Sequence, residues 1–119
     1  MYFIPLTEFD TLIANGKQQA AAIATGEPEI DFKPVLRYFT PQGNATWLLT
    51  EVLPEDPFTA FGLCDLGVGV PELGCVSLIA LGDSIGTGGL DVVPDRRFKA
   101  IRTLSQYAEA ARFAGRIVL

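Results

Sequence analysis

Apolar and polar positions alternate with a strand period through the middle of the chain and with a helix period towards both ends. Residues 46–51, 60–67 and 71–78 are rich in apolar, β-branched and aromatic side chains. They are separated by two breaker clusters, Pro54-Glu55-Asp56-Pro57 and Gly67-Val68-Gly69-Val70-Pro71. The pattern predicts a three-stranded antiparallel meander. Residues 35–40 predict a further strand, turned back into the Trp47 strand by Pro41-Gln42-Gly43-Asn44. Within the 46–51 strand, Trp47, Leu49 and Glu51 share one face and Thr46, Leu48 and Thr50 the other, so neither face is purely apolar. In the next strand Phe61, Leu63 and Asp65 lie opposite Ala60, Gly62 and Cys64.

The flanks read as cover for this sheet. Leu6, Phe9, Leu12 and Ile13 recur at helical spacing behind a Thr7 cap, with Glu8 and Asp10 in the first turn, where the helix dipole favours acids. Asn15-Gly16 is expected to end or pinch that helix. Residues 17–24, with three consecutive alanines, resume it until Thr25-Gly26 and Pro28. A polar connector spans residues 27–34. After Leu81 the composition predicts a Gly-rich loop over residues 82–89, a short strand over 90–93 and a turn at Pro94-Asp95-Arg96-Arg97. Ser105, or Thr103 with Gln106 as a capping box, starts a last helix over 106–114 with Tyr107, Ala108, Ala111 and Ala114 inward. Gly115 stops it, and Ile117-Val118-Leu119 is expected as an edge strand. The fold class is therefore α+β: an antiparallel β-meander sheet covered by N-terminal and C-terminal helices.

Composition narrows the class. A chain of 119 residues, 49% hydrophobic and 19% charged, is expected to fold as a single domain, 1–119, around one core. Apolar stretches break well short of the roughly 18 residues that a membrane span needs, and the N-terminus lacks the basic start of a signal peptide, so no membrane is expected and the cytosol is the expected compartment. Two cysteines, Cys64 and Cys75, fit a reducing setting. Histidine is absent, which removes the commonest general base, the usual metal ligand and every Ser-His or Cys-His nucleophile pair. Neither a cofactor nor a metal is expected, and no residue is assigned a catalytic role.

Charge is unevenly spread. Residues 27–95 hold eleven acids against Lys33 and Arg37, a net −9, whereas residues 96–119 hold six bases against Glu109, a net +5. The sharper implication is an acidic surface for a basic partner, with Glu55, Asp56, Asp65, Glu72 and Asp83 as its candidate contacts. The overall sign disfavours direct nucleic-acid binding, with Arg96-Arg97-Phe98-Lys99 the one local patch that speaks for it. A catalytic pair of Glu51 and Asp65 is disfavoured by distance: a regular hairpin pairs Glu51 near Ala60 and Asp65 near Thr46, roughly 15 Å apart or more. Gly67-Val68-Gly69 lacks the third glycine and following helix of a dinucleotide fingerprint, and reads as a tight connection between strands. Cys64 and Cys75 face each other or lie on opposite faces according to a one-residue change of register.

The block Ala45-Thr46-Trp47-Leu48-Leu49-Thr50-Glu51, Ala60-Phe61-Gly62-Leu63-Cys64-Asp65-Leu66-Gly67, Pro71-Glu72-Leu73-Gly74 and Val76-Ser77-Leu78 resembles a family of short bacterial proteins of unknown function found on plasmids, phages and integrative elements. Leu104-Ser105-Gln106-Tyr107-Ala108 resembles that family's last helix. The resemblance implies no activity, cofactor or catalytic residue. It implies association with mobile DNA, where small acidic proteins often act on host defence. The leading expectation is thus a protein-binding domain, a counter-defence inhibitor of anti-restriction or anti-CRISPR type, docking on a basic nucleic-acid-handling host protein. The alternatives are an enzyme or nucleotide- or metal-binding module built on Glu51, Asp65 and Glu72 near the 67–74 turn, and an accessory domain that forms homo-oligomers through a strand edge.

Overall fold

A computed structural model describes residues 4–83 and 91–119. The elements, in chain order, are α1 (Leu6–Ala24), β1 (Leu36–Phe39), β2 (Thr46–Leu53), β3 (Asp56–Asp65), β4 (Glu72–Ser77), α2 (Leu78–Asp83), β5 (Val93–Pro94) and α3 (Leu104–Ala114). The strands form one antiparallel sheet in the order β4-β3-β2-β1-β5. The α+β class and the meander are as the pattern predicts, with β5 added beyond β1. Of the loop expected at 82–89, Gly82 and Asp83 belong instead to α2 and 84–89 lie outside the described residues; of the strand expected over 90–93, Val93 begins β5.

β2 is buried from Thr46 to Val52 on both faces. Trp47, Leu49 and Val52 meet Leu12 of α1 and Leu78 and Leu81 of α2. Leu48 meets Leu63, Leu104, Tyr107 and Ala111 on the other side. The expected single core is therefore two apolar layers with the sheet between them. That is why neither face of β2 reads as a solvent face in the sequence. Its two buried threonines spend their hydroxyls locally: Thr46 Oγ1 donates to the Tyr38 carbonyl (3.3 Å), and Thr50 Oγ1 lies 2.9 Å from Glu51 Oε1 and 3.3 Å from the Phe61 carbonyl.

α1 does not break at Asn15-Gly16 but runs unbroken over Leu6–Ala24. β2 explains why. The β2–β3 register shifts by one residue between Leu49↔Gly62 and Glu51↔Phe61, a bulge at Thr50. The Thr50 carbonyl accepts a hydrogen bond from Asn15 Nδ2 (2.9 Å). One residue on, Gly16 lies so close to β2 that a Cβ there would sit 1.9 Å from the Val52 carbonyl oxygen. The dipeptide that reads as a helix stop is the dock between α1 and the bulge. The bulge also changes the phase of β2, so that Val52, not Glu51, joins Trp47 and Leu49 in the α1-side core.

Other differences have equally local causes. Leu6, expected inward, is exposed, and Ile4 before the helix enters the α1-side core in its place; Ala114 is likewise exposed, with Ile117 after α3 in the α3-side core. α1 starts after Pro5 with no side-chain cap, and Thr7 instead bonds Glu8 (2.8 Å). Residues 78–83 form α2 rather than a continued strand, because Ser77 Oγ accepts the Ala80 N–H (3.2 Å) as a cap does. α3 starts two residues earlier than expected, at Leu104, behind Thr103, whose N–H is accepted by Gln106 Oε1 (2.9 Å). Gly115 ends it in the left-handed region at φ 72°. Residues 117–119 are not a strand; Ile117 instead tucks into the α3-side core.

The connector at 27–34 joins the two helical layers. Gln19 on α1 pairs both polar groups of its side chain with the Ile30 backbone (2.8 and 2.9 Å). Asp31 receives the Ser105 N–H (3.0 Å) and hydroxyl at the start of α3, and the Phe32 carbonyl accepts the Leu104 N–H (2.8 Å).

Two substitutions test this packing. Gly16→Ala is expected to lower unfolding free energy by about 1–3 kcal/mol although alanine is the better helix former, because overlap with the Val52 carbonyl outweighs propensity. A urea midpoint equal to or above that of wild type would refute the close dock. Trp47→Ala, at a position 2% exposed, is expected to cost about 3–5 kcal/mol by the same measurement.

Candidate functional site

Of the five acidic residues singled out in the sequence, four are exposed and one is not. Glu55 and Asp56 occupy the β2–β3 turn, Glu72 opens β4, and Asp83 closes α2. Asp65 is buried. Its Oδ1 accepts the Gly67 N–H (2.8 Å) and its Oδ2 the Ile117 N–H (2.9 Å). Asp65 therefore cannot serve as a contact at the surface: it closes the turn after β3 and holds down the segment after α3. Nor do Glu51, Asp65 and Glu72 converge. Asp65 pairs with Thr46 as expected, and Glu51 pairs with Phe61, one residue from the Ala60 of the regular hairpin, at the far end of β2. Among the described residues no three His, Cys, Asp or Glu side chains come together as a metal site requires.

Cys64 and Cys75 are both free, and the register decides their relation. Cys64 pairs with Glu72 and Cys75 with Phe61, which places the two thiols on opposite faces of the sheet. Burial, with Cys75 adding to it, pushes the Cys64 thiol up to about 11, so it is protonated and a poor nucleophile at neutral pH.

Two surface features stand out instead. The first is the outer edge of the sheet. β4 has a regular register with β3 on its inner side and, among the described residues, no strand on its outer side. It contains neither Lys nor Pro nor a bulge, the devices that usually blunt an edge. The loop leading into it was expected to be a tight connection. It instead projects Leu66, Val68 and Val70 at 61–71% exposure, continuous with exposed Leu73 on the strand itself. Phe58 and Ile79 are exposed near the other end of β4, where Glu55 and Asp56 lie.

The second is a groove of about 870 Å³ at the end of the sheet near Asp65, between the β1–β2 turn, the β3–β4 loop and the segment after α3. Arg37, Phe39, Thr46, Gly67, Gly69 and Arg116 line it. The Arg37 guanidinium is held by Asp95 (Nη1–Oδ2 2.7 Å), by Thr46 Oγ1 (3.0 Å from Nε) and by the Phe39 ring, 4.4 Å from its centroid. Burial acts to raise the Asp95 carboxyl, but hydrogen bonds from Arg37 and the Arg97 N–H, with the charges of both arginines, hold it below the usual carboxylate range. Neither feature was read from the sequence. The edge had a signal in the absence of any base between Arg37 and Arg96, whereas the pairing of Arg37 with Arg116 across the groove had none.

An antiparallel sheet with helices on both faces defines the class of this protein. Within that class the chain belongs to the family described as "Protein of unknown function (DUF2958)", whose model matches residues 3–118. No curated protein and no solved structure matches it.

Glu51 supplies a pH test of the buried polar cluster beneath the connector. Burial chiefly raises its carboxyl above the ordinary value. The Thr50 hydroxyl and the Gln19 amide act against that rise, and the nearby charge of Glu29 adds to it. A raised folded value means that the folded state holds the proton more tightly than the unfolded chain, so stability falls as pH rises from the unfolded value through the folded one. Glu51→Gln is therefore expected to melt above wild type at pH 7, the gap closing as pH drops below about 4.3. A gap that is constant with pH, or reversed at pH 7, would show that Glu51 is stabilised as a charged group.

Proposed function

We propose that the protein is a binding domain that receives an extended, basic segment of a partner protein along β4. The observation that carries this reading is the chemistry of that edge. Residues 38–95 contain no Lys or Arg, and the β4 side exposes apolar side chains with Glu72 at one end and Glu55 and Asp56 at the other. Main-chain hydrogen bonds to an open strand supply affinity without sequence demands, and exposed side chains on alternate positions supply selection. Carboxylates around an apolar centre steer a basic partner and reject an acidic one. A second copy of this chain would bring the same acidic rim against itself, which favours a different, basic protein as the occupant. The mobile-element setting that the resemblance implies points to a nucleic-acid-handling host protein, a restriction or CRISPR effector, with inhibition as the consequence of occupancy.

The alternative built on Glu51, Asp65 and Glu72 has less support, since those carboxylates are dispersed and two are buried.

The test is capture from bacterial lysate with tagged wild type beside two variants. One carries Leu73→Lys and Cys75→Lys on the edge; the other carries Glu55→Gln, Asp56→Asn, Glu72→Gln and Asp83→Asn on the rim. The captured protein, once purified, is expected to be basic, to bind wild type in a salt-weakened manner and to bind both variants at least about tenfold more weakly, with little change in Tm. Equal binding by the edge variant, or a salt-independent homodimer in sedimentation as the sole assembly, would overturn the reading.

A further inference from the structure

The groove beside Asp65 holds an arginine whose hydrogen bonding is incomplete. A guanidinium has five N–H donors. In Arg37 the Nε–H goes to Thr46 and one Nη1–H to Asp95, which leaves three with no acceptor among the described residues. The side chain is 19% exposed, is stacked on Phe39 and lines the groove. Across the groove, Arg116 is exposed and makes no ion pair or side-chain hydrogen bond among the described residues.

The walls are equally specific in how they are assembled. The three segments that form them touch one another. A Cβ on Gly67 would fall 2.7 Å from Asn44 Cβ, and one on Gly115 would fall 3.6 Å from the Gly69 carbonyl oxygen. Asp65 also lines the groove; its two oxygens accept the Gly67 and Ile117 N–H groups, which offset part of its charge and tie it to the frame. The groove is thus preformed, with the Arg37 guanidinium held on one wall and Arg116 exposed on another.

From this geometry we propose that the groove is a binding site for a small phosphate monoester of mononucleotide size. Two guanidiniums on separate elements suit a tetrahedral dianion that accepts hydrogen bonds from several directions better than a planar carboxylate, which one arginine fork saturates. The volume is far larger than phosphate alone and falls in the range of small-ligand sites, and the Phe39 and Pro41 wall accepts an organic group. This site uses arginines rather than the carboxylates near the 67–74 turn, and shares with the β4 edge the β3–β4 loop, whose glycines line the groove.

The test is an amide-shift titration of the isotopically labelled full chain with three probes: AMP, inorganic phosphate and adenosine. AMP is expected to shift the amides of Gly67, Gly69 and Arg116, phosphate to shift the same set more weakly, and adenosine to leave them unmoved. Arg116→Gln, which removes no structural contact, is expected to weaken AMP about tenfold, as loss of one charge-assisted contact does. Arg37→Gln is expected to weaken it at least as much. Absence of shifts at millimolar AMP, equal shifts with adenosine, or an unchanged Kd in Arg116→Gln would each overturn the proposal.

Discussion

β2 has no side that faces water, and the rest of the molecule follows from that constraint. A strand buried on both faces needs an apolar layer above and another below, supplied here by α1 with α2 and by α3 with its lead-in. It also needs every backbone and hydroxyl group accounted for, because an unpaired polar group away from water is costly. The Thr50 bulge is the point where the ladder fails to do this. Asn15 takes up the carbonyl that the bulge displaces, and Gly16 lets the α1 backbone approach closely enough for it to do so. Helix and sheet are thus matched at one spot by a hydrogen bond and a missing Cβ.

Polar side chains then fasten the segments that join the layers. Gln19 holds the connector to α1, Asp31 holds the same connector to the start of α3, and Asp65 holds the segment after α3 to the end of β3. Three residues from different parts of the chain do similar work: a side-chain oxygen satisfies a backbone N–H that no helix or ladder bond uses. Carboxylates spent this way are lost to catalysis, which is why Asp65, the most suggestive acid in the sequence, is a structural residue.

With the interior so accounted for, the unsatisfied groups are left at the periphery. The outer side of β4 presents a backbone ladder without a partner among the described residues, in a stretch, residues 38–95, that holds no Lys or Arg. The groove near Asp65 presents arginine donors only part of which have acceptors among the described residues. The two features meet at the β3–β4 loop, whose apolar side chains adjoin the edge and whose glycines line the groove.

Much of the architecture was fixed by local pattern. Strand-length apolar runs, breaker clusters and the Gly115 stop determine an antiparallel sheet with helices at the two ends, because period, turn chemistry and capping act over a few residues. Charge asymmetry along the chain was legible for the same reason. The partners of particular residues were decided by the tertiary structure alone. Asn15-Gly16 reads as a helix stop until β2 lies against it. Ser77-Leu78-Ile79 is equally a strand or a capped helix by pattern. Glu51 changes register through one extra residue in β2. Glu55, Asp56, Glu72 and Asp83 were recognisable as exposed acids, but Asp65 was not separable from them, since its partners lie in the following turn and at Ile117, 52 residues away. Arg37 and Arg116 come together for the same reason: contacts between distant segments depend on how both layers close on β2, and no local rule of sequence carries that information.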